Sequence, residues 1–412
     1  MIDLISLGFH EIVRPYPLIL LVVGTIWGIV VGSIPGFTIT MGVALTLPLT
    51  FGMTSIQGLS VMLGVMVGGF AGGQISGILM GIPGTPSSIA TVFDGHPMAK
   101  RGEPGNALCL GVWASFFGGL IGAIVLMFFT PPLANIALKF GPWEFFSLIV
   151  FGLTIIASLS GKSLVKGIMG GVLGLIAGTF GSDPITGIPR FSFGLHQLEA
   201  GFPFLPILIG LFAFSQLMGG LEEKEGRSKG LVSNADLSFS SLKAIKTILL
   251  QPINLIRSSL IGVFVGALPG AGGGISNIMS YDQAAKASKD PEKFGTGIPD
   301  GVIASEAANN GTGGGVLIPA MALGVPGDPI SAIMLGALIV HGIQPGPLLI
   351  VEFPDLVYGI FVAFFIAHFF MLFVQLCGIR FFVRLITVPL YILVPSILVF
   401  CAVGSFSIEN RF

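Results

Sequence analysis

The amino-acid sequence predicts an all-α, polytopic membrane protein built from two inverted repeats that contain broken or re-entrant helices. Three observations support this fold class. The 412 residues are 53% hydrophobic and 9% charged, whereas soluble domains average about 25% charged residues. Long runs without any charge recur, the longest from Pro15 to Phe93. The phrase Gly-apolar-Pro-Gly-polar-Pro occurs at residues 81–86 and again at residues 324–329.

The first repeat is predicted to cover residues 1–220, beginning with a short interfacial segment at residues 3–14. Apolar runs of about 20 residues are long enough to cross a bilayer as a helix. By that measure the first half contains spans near residues 17–34, 59–79, 107–130, 144–160, 164–181 and 203–219. We expect the threonine-containing stretch at 36–50 to be tilted or re-entrant, and residues 94–103 to form a polar loop.

A polar linker at residues 221–252 separates the halves. The second repeat, residues 253–412, is predicted to contain a span near 253–269, a charged amphipathic insertion at 276–299, a small and polar stretch at 303–315, an apolar stretch at 316–323, and spans near 356–378 and 386–404. The total is roughly 9 to 12 membrane segments by length and hydropathy. Four spans follow the first Pro-Gly phrase and only two follow the second, so we expect that a C-terminal segment is missing.

A second pair of matched phrases lies upstream and supports the duplication. Gly28, Gly32, Pro35 and Gly36 correspond to Gly262, Gly266, Pro269 and Gly270. Glycines recur every four residues in both phrases, which indicates either close helix packing or a surface along which a neighbour slides. Lys100 and Arg101 follow the first Pro-Gly phrase, whereas residues 341–355 after the second contain no Lys or Arg. Because basic loops lie in the cytoplasm, this asymmetry predicts opposite orientations and a cytoplasmic linker.

The Pro-Gly phrases must interrupt their helices, because proline removes a backbone donor and glycine weakens helix. Within a membrane such breaks are tolerated only where protein buries them or where they line a wet cavity. Half-helix N-termini favour anions, and transporters build substrate sites from them. The predicted substrate-binding residues are Pro35, Gly36, Gly84, Thr85, Ser87, Ser88, Pro269, Gly270, Asn309, Asn310, Thr312 and Gly327. The alternative for Thr85, Ser87 and Ser88 is N-capping of the helix that follows.

Ionisable residues within membrane-depth sequence are candidates for ion coupling. Asp328, Glu306 and Asn310 are predicted to couple a cation, with sodium near Asp328 and Asn309. Asp328 could instead cap the next helix, and Glu306 could be an interfacial charge. Asp94 and His96 are predicted to lie in a helix-terminal turn held by loop hydrogen bonds.

The composition excludes several other functions. A net charge of -1 provides no basic surface for nucleic acid. The three cysteines lack metal-ligand spacing and are predicted to be packing residues. H-E-x-x-H, G-x-S-x-G and Walker motifs are absent from the sequence. We therefore predict neither an enzyme nor a cofactor, and a coupling ion that is sodium or a proton.

Taken together, the motifs resemble the large membrane permease subunit of the tripartite tricarboxylate transporter family from about residue 24 to residue 404. The motifs are Gly81-Ile-Pro-Gly-Thr-Pro, Asp94-Gly-His-Pro-Met, Gly102-Glu-Pro-Gly-Asn-Ala, Gly266-Ala-Leu-Pro-Gly-Ala-Gly-Gly-Gly, Glu306-Ala-Ala-Asn-Asn and Gly324-Val-Pro-Gly-Asp-Pro. The resemblance implies a secondary transporter of the bacterial inner membrane, driven by a sodium or proton gradient. It also implies di- or tricarboxylate substrates such as citrate, a small four-span membrane subunit and a periplasmic solute-binding protein.

Three alternatives remain open on the sequence. Paired broken segments also occur in channels with re-entrant loops, and a carboxylate carrier could work without a binding protein. An intramembrane enzyme would use Asp94, Asp328 or Glu306, but these acids are widely separated in the sequence.

Overall fold

The computed structural model describes residues 2–35, 37–144, 146–147, 150, 163–182, 188–199, 201–202, 207, 210–211, 237–270, 272–385, 395 and 399. These residues are almost entirely helical, with one antiparallel pair of two-residue strands, β1 (Gly181–Ser182) and β2 (Pro189–Arg190). The all-α, polytopic fold class is therefore confirmed. The predicted spans at 144–160, 203–219 and 386–404 lie mostly outside the described residues, as do residues 221–236 of the linker.

The helices of the first half, in chain order, are α1 (Ile2–Ile12), α2 (Pro15–Ser33), α3 (Ile39–Thr46), α4 (Ser55–Met80), α5 (Ile89–Lys100), α6 (Pro104–Ala137), α7 (Leu164–Gly178) and α8 (His196–Glu199). Those of the second half are α9 (Ser241–Leu249), α10 (Pro252–Ala267), α11 (Gly272–Ala287), α12 (Pro299–Leu323), α13 (Pro329–Val340), α14 (Leu349–Glu352) and α15 (Pro354–Leu385). Short 3-10 turns occur at Leu47–Thr50, Pro86–Ser88 and Pro291–Lys293.

Both predicted breaks are present and end their helices in the same way. Helix α4 stops at Met80 and helix α12 at Leu323, each followed by a glycine in the left-handed conformation. The φ angles are 72° at Gly81 and 70° at Gly324, which side chains with a Cβ rarely adopt. A proline-containing turn then starts a new helix, α5 or α13.

Helix α2 packs along α4, and α10 packs along α12, with backbone approaching backbone. A Cβ added at Gly28 would lie 2.3 Å from the carbonyl oxygen of Val65. In the second half, a Cβ added at Gly262 would lie 2.2 Å from the carbonyl oxygen of Ala308. Both distances are shorter than any real contact, so these positions admit only glycine. The close-packing interpretation of the glycine stripes is confirmed, and the two halves repeat the same contact.

The central core lies where α2, α4, α6, α12 and α15 meet. Four helices, α2, α4, α6 and α15, are long and apolar enough to cross a membrane. Helices α9 and α10 add a fifth candidate that bends by 85° between them. These counts cover only the described part of the chain.

The sequence-based boundaries were wrong at two places. Residues 94–100 belong to helix α5 rather than to a loop. The predicted charged insertion begins within helix α11, which packs against α5 and α12. Residues 303–323, predicted as two pieces, lie within the single 25-residue helix α12. Helix α12 is buried from Gly301 to Ala322 despite its polar residues. Its small residues allow neighbours to approach closely. Glu306, Asn309 and Thr312 each bond to a residue on a neighbouring helix.

Candidate functional site

The first break carries a buried group of hydroxyls. Thr85 Oγ1 lies 3.1 Å from Ser87 Oγ and 2.9 Å from Ser88 Oγ. Thr85 and Ser88 occupy N-cap positions, yet neither side chain accepts a hydrogen bond from the backbone of the turn or helix that follows. The N-capping alternative for these side chains is therefore wrong, and the three hydroxyls bond to one another instead.

The start of α5 is capped from another helix. Asn277 of α11 accepts a hydrogen bond from the Ala90 N–H at 2.6 Å through its Oδ1. Its Nδ2 donates to the Ser305 carbonyl of α12 at 3.0 Å. One buried amide therefore joins the first break to the second half of the chain. The sequence did not indicate this role, because Asn277 lies within a stretch that was predicted to be a charged insertion.

The N-terminus of α11 lies against the first break. A Cβ added at Gly273 would be 2.6 Å from Ser87 Cβ, and one at Gly274 would be 3.4 Å from the Pro86 carbonyl oxygen. One turn further along α11, Ser276 Oγ lies 2.6 Å from Thr312 Oγ1 of α12. We refer to Thr85, Ser87, Ser88, Ser276 and Thr312 as the hydroxyl cluster. Thr85, Ser87, Ser88 and Thr312 were predicted as substrate-binding residues, and Ser276 was not.

Gly84 holds the first break against the rest of its half. Its N–H donates to the Gly73 carbonyl of α4 at 3.1 Å. A Cβ added at Gly84 would lie 2.2 Å from the Gly32 carbonyl of α2, so no larger residue fits there. Pro35 follows α2 on the same side and is partly buried, whereas Gly36 lies outside the described residues.

The second break is similarly held. Gly270, which follows Pro269 between α10 and α11, has a φ of 82°. Its N–H donates to the Gly327 carbonyl at 2.8 Å. A Cβ added at Gly327 would lie 2.7 Å from the Gly266 carbonyl. The structure thus connects the matched phrases in each half, as the duplication predicts.

Asp328 caps helix α13. Its Oδ1 accepts from the Ser331 N–H and from Ser331 Oγ, both at 2.8 Å. Its own N–H donates to Ser331 Oγ at 3.0 Å, which completes a capping box. The capping alternative for Asp328 is confirmed. A role in cation coupling stays a prediction.

The predicted sodium position near Asp328 and Asn309 would need these two residues to be neighbours. Gly327, next to Asp328, packs on Val316 of α12. Asn309 lies seven residues before Val316, which is about 10 Å along a helix axis at 1.5 Å per residue. The geometry therefore separates the two residues, and it places Asn309 nearer to Glu306.

Glu306 is fully buried on α12, so it is not the interfacial charge that the sequence allowed. Its Oε1 accepts from Thr91 Oγ1 at 2.5 Å and its Oε2 from Ser115 Oγ at 2.8 Å. Among the ion pairs of the described residues, none involves Glu306. A buried carboxylate without a cationic partner is costly, so this position calls for a proton or another cation.

Two neighbouring asparagines have unused acceptors. Asn309 Nδ2 donates to the Phe70 carbonyl of α4 at 2.9 Å, and Asn310 Nδ2 donates to the Glu306 carbonyl at 3.2 Å. The Oδ1 atoms of both side chains are buried and have no hydrogen-bond partner in the described structure. Both oxygens are therefore available to a ligand.

Gln74 of α4 was missed by the sequence analysis. It is fully buried, and neither its Oε1 nor its Nε2 has a partner in the part of the chain described. A Cβ added at Gly111 of α6 would lie 1.8 Å from Gln74 Oε1 and 3.5 Å from Glu306 Cγ. Gly111 therefore leaves room for both side chains. The available signal was a lone amide inside an apolar span, which is itself a functional indication.

Asp94 forms a buried hydrogen-bonded centre on α5. Its Oδ1 accepts from the N–H groups of Gly295, Gly297 and Ile298 at 3.0, 2.7 and 3.0 Å. Its Oδ2 accepts from the Tyr281 hydroxyl at 2.9 Å. Loop hydrogen bonds to Asp94 were predicted, but the loop belongs to the second half. His96 lies on the same helix, with Nδ1 2.9 Å from the Ile78 carbonyl.

Tyr281 remains a donor to Asp94 across the physiological pH range. Burial raises the pKa of the Tyr281 phenol, and the Asp94 charge raises it further. Helix α11, which carries Tyr281, is not among the helices long enough to span a membrane.

Among the described residues, no group of three or more His, Cys, Asp or Glu side chains could hold a metal ion.

The fold and this site define a multi-pass membrane protein with broken helices around buried polar groups, an arrangement typical of membrane transporters. Residues 18–412 match the family described as "Tripartite tricarboxylate transporter TctA family", and the chain belongs to that family. It is thus a component of a tripartite transporter of the tricarboxylate class.

Two relatives from Agrobacterium vitis are similar to this chain. The "Uncharacterized 52.8 kDa protein in TAR-I ttuC' 3'region" is 37% identical over 416 residues, covering 100% of this chain and 82% of the relative. The "Uncharacterized protein in TAR-II ttuC' 3'region" is 36% identical over 150 residues, covering 36% of this chain and 62% of the relative. No solved structure matches the chain.

Proposed function

We propose that this protein takes up a small carboxylate of the di- or tricarboxylate class, such as citrate, across the bacterial inner membrane. Uptake is driven by a sodium or proton gradient. A periplasmic solute-binding protein delivers the substrate, and a small four-span membrane subunit completes the complex. Family membership supports the transport class and the three-component organisation.

The observation that carries the proposal is the uncharged hydroxyl cluster at the first break. Ser87 faces Gly273 at the N-terminus of the 16-residue helix α11, whose dipole and first N–H groups favour an anion. Thr85, Ser88 and Thr312 add hydroxyl groups that are buried in the bundle. Hydroxyl and backbone donors can hold a carboxylate without the cost of a buried cationic side chain.

Glu306 is the favoured coupling residue in this proposal. Its carboxylate lies next to the unpaired Gln74 amide and on the same helix as the unpaired oxygens of Asn309 and Asn310. Oxygen atoms are the ligands that hard cations prefer, and a proton would neutralise the carboxylate directly. Asp328 is the weaker candidate, because Ser331 already occupies its Oδ1.

Inverted repeats would allow the two halves to rock against each other around this site. Asn277 is then important, since it joins the first break in one half to α11 and α12 in the other. Movement between the halves would either break the hydrogen bond from the Ala90 N–H to Asn277 or move the start of α5 together with α11.

The test is uptake of labelled citrate and other carboxylates into proteoliposomes that contain this chain, the small subunit and the binding protein. Sodium and proton gradients are imposed separately. We expect accumulation that requires the binding protein and one of the gradients. Asn310→Ala should abolish this accumulation at normal expression, whereas Lys286→Gln, on the exposed face of α11, should leave it unchanged.

Other outcomes would redirect the proposal. Accumulation without the binding protein would identify an autonomous carboxylate carrier, and ion conductance far above carrier turnover would identify a channel. Full uptake by Asn310→Ala would show that the site lies elsewhere, even if the transport class is correct.

A further inference from the structure

One face of α10 is exposed and apolar. The groove on this face has a volume of about 580 Å³ and is lined by Ile253, Ile256, Arg257, Leu260, Ile261, Phe264 and Met279. Ile253 is 77% exposed and Phe264 is 65% exposed. All but Met279 recur on α10 at three- and four-residue spacing, so the groove runs along this helix beside α11.

Arg257 places a cation in this apolar groove. Its Nη2 donates to Asn254 Oδ1 at 3.1 Å, whereas its Nε is buried and has no partner among the described residues. None of the ion pairs in the described structure involves Arg257. A guanidinium remains charged and offers five N–H donors. Beyond the buried Nε–H and the Nη2–H that Asn254 accepts, three donors are left for an anion from outside the chain.

The adjoining helix identifies the depth of Arg257. Helix α9 meets α10 at an angle of 85°. It buries Ala244 and Ile248 against the protein, exposes Leu242 at 81%, and carries the exposed residues Lys243 and Lys246. A basic amphipathic helix perpendicular to a spanning helix is typical of one lying in the membrane interface.

Arg257 is the sixth residue of α10. At 1.5 Å per residue it lies about 7.5 Å along the helix from the bend between α9 and α10. The interfacial layer on each side of a bilayer is about 5–7 Å thick, and an arginine side chain can extend back towards it. The guanidinium therefore reaches the level of lipid phosphates. A carboxylate on a partner's spanning helix could reach Arg257 only if it lay at that same shallow depth. Beyond Arg257 the groove continues along Leu260 and Phe264 with an apolar lining, which fits a lipid acyl chain.

We propose that this groove binds one anionic phospholipid, with its headgroup phosphate on Arg257 and an acyl chain along Ile256, Leu260 and Phe264. Arginine suits this role, since its planar fork forms two parallel hydrogen bonds with phosphate. Lys243 and Lys246 on α9 add attraction for a negatively charged headgroup.

The experiment is native mass spectrometry of the delipidated full chain, titrated separately with phosphatidylglycerol and phosphatidylcholine. We expect the wild-type protein to bind phosphatidylglycerol more tightly. Arg257→Gln should weaken phosphatidylglycerol binding about five-fold, the effect of one cation near an anionic membrane surface. Arg257→Lys should retain part of the preference, because it keeps the charge and loses the fork.

Lys286→Gln is the matched control, since Lys286 is an exposed cation on α11 outside the groove. It should bind both lipids as the wild type does. Leu260→Trp tests the acyl-chain part of the groove and should weaken binding of both lipids while keeping the preference.

Equal binding of the two lipids by the wild type, or an unchanged preference in Arg257→Gln, would overturn the proposal. If Arg257→Gln instead keeps its lipid preference but no longer co-purifies with the small membrane subunit, the groove is a protein interface and the lipid assignment is wrong.

Discussion

Replacing Asp94 with alanine should strongly destabilise the protein, because Asp94 joins α5 to the loop before α12. The carboxylate accepts three backbone N–H bonds from residues 295–298 and one bond from the Tyr281 hydroxyl. Hydrogen bonds to a charged group contribute about 1.5–3 kcal/mol each, and a buried donor left alone costs about 1–3 kcal/mol. The bond from Gly297 is buried, whereas those from Gly295 and Ile298 are partly buried and can be replaced by water.

The loss is therefore smaller than the sum of four charged bonds. We expect Asp94→Ala to lower the free energy of unfolding by about 3–5 kcal/mol, the range for removing one partner from a buried charged network. Asp94→Asn keeps one oxygen acceptor for the backbone and should lose less, about 1.5–3 kcal/mol. Tyr281→Phe removes one donor and should lose about 1 kcal/mol.

The assay is denaturant unfolding of the purified full chain in detergent, followed by tryptophan fluorescence. Asp282→Ala is the matched control, since Asp282 lies next to Tyr281, is 48% exposed and, among the described residues, pairs with the exposed Lys286. An exposed pair of this kind contributes about 0–1 kcal/mol. If Asp94→Ala is no less stable than Asp282→Ala, the described network does not hold α5 to the second half, and the reasoning fails.

Three further predictions concern the site. Gly84→Leu should abolish uptake, because even a Cβ at this position would lie 2.2 Å from the Gly32 carbonyl. The control is Gly170→Leu, which should transport normally because an added Cβ there meets nothing within 4 Å. Transport assays on both variants at matched expression check this. Glu306→Gln should lose the gradient dependence of uptake while binding substrate, which isothermal titration and gradient-driven uptake measure together; retained gradient dependence would contradict a coupling role. Asn277→Ala should cost about 1–3 kcal/mol of stability, since it leaves the buried Ala90 N–H unpaired, and unfolding no easier than in the wild type would contradict its capping role.

The amino-acid sequence by itself determined the class of fold and the positions of both breaks. Low charge and long apolar runs require helices in a bilayer, because only helices and closed barrels satisfy the backbone there. Pro and Gly at 81–86 and 324–329 act on their own local backbone, so their effect is readable without knowing any neighbour. Capping by Asp328 was likewise a local possibility, since its partner Ser331 is three residues away.

Only the tertiary structure decided which polar groups meet. Asn277 caps an N–H that is 187 residues away, and Asp94 accepts from donors 187 to 204 residues away. The polar stretch on α12 was predicted to be separate from its apolar end. Both lie in one helix that is buried from Gly301 to Ala322, since its small residues admit close neighbours. Gln74 becomes a candidate only because Gly111 leaves space for it beside Glu306. Such contacts depend on which helix faces pack together, and a local sequence pattern does not specify that choice.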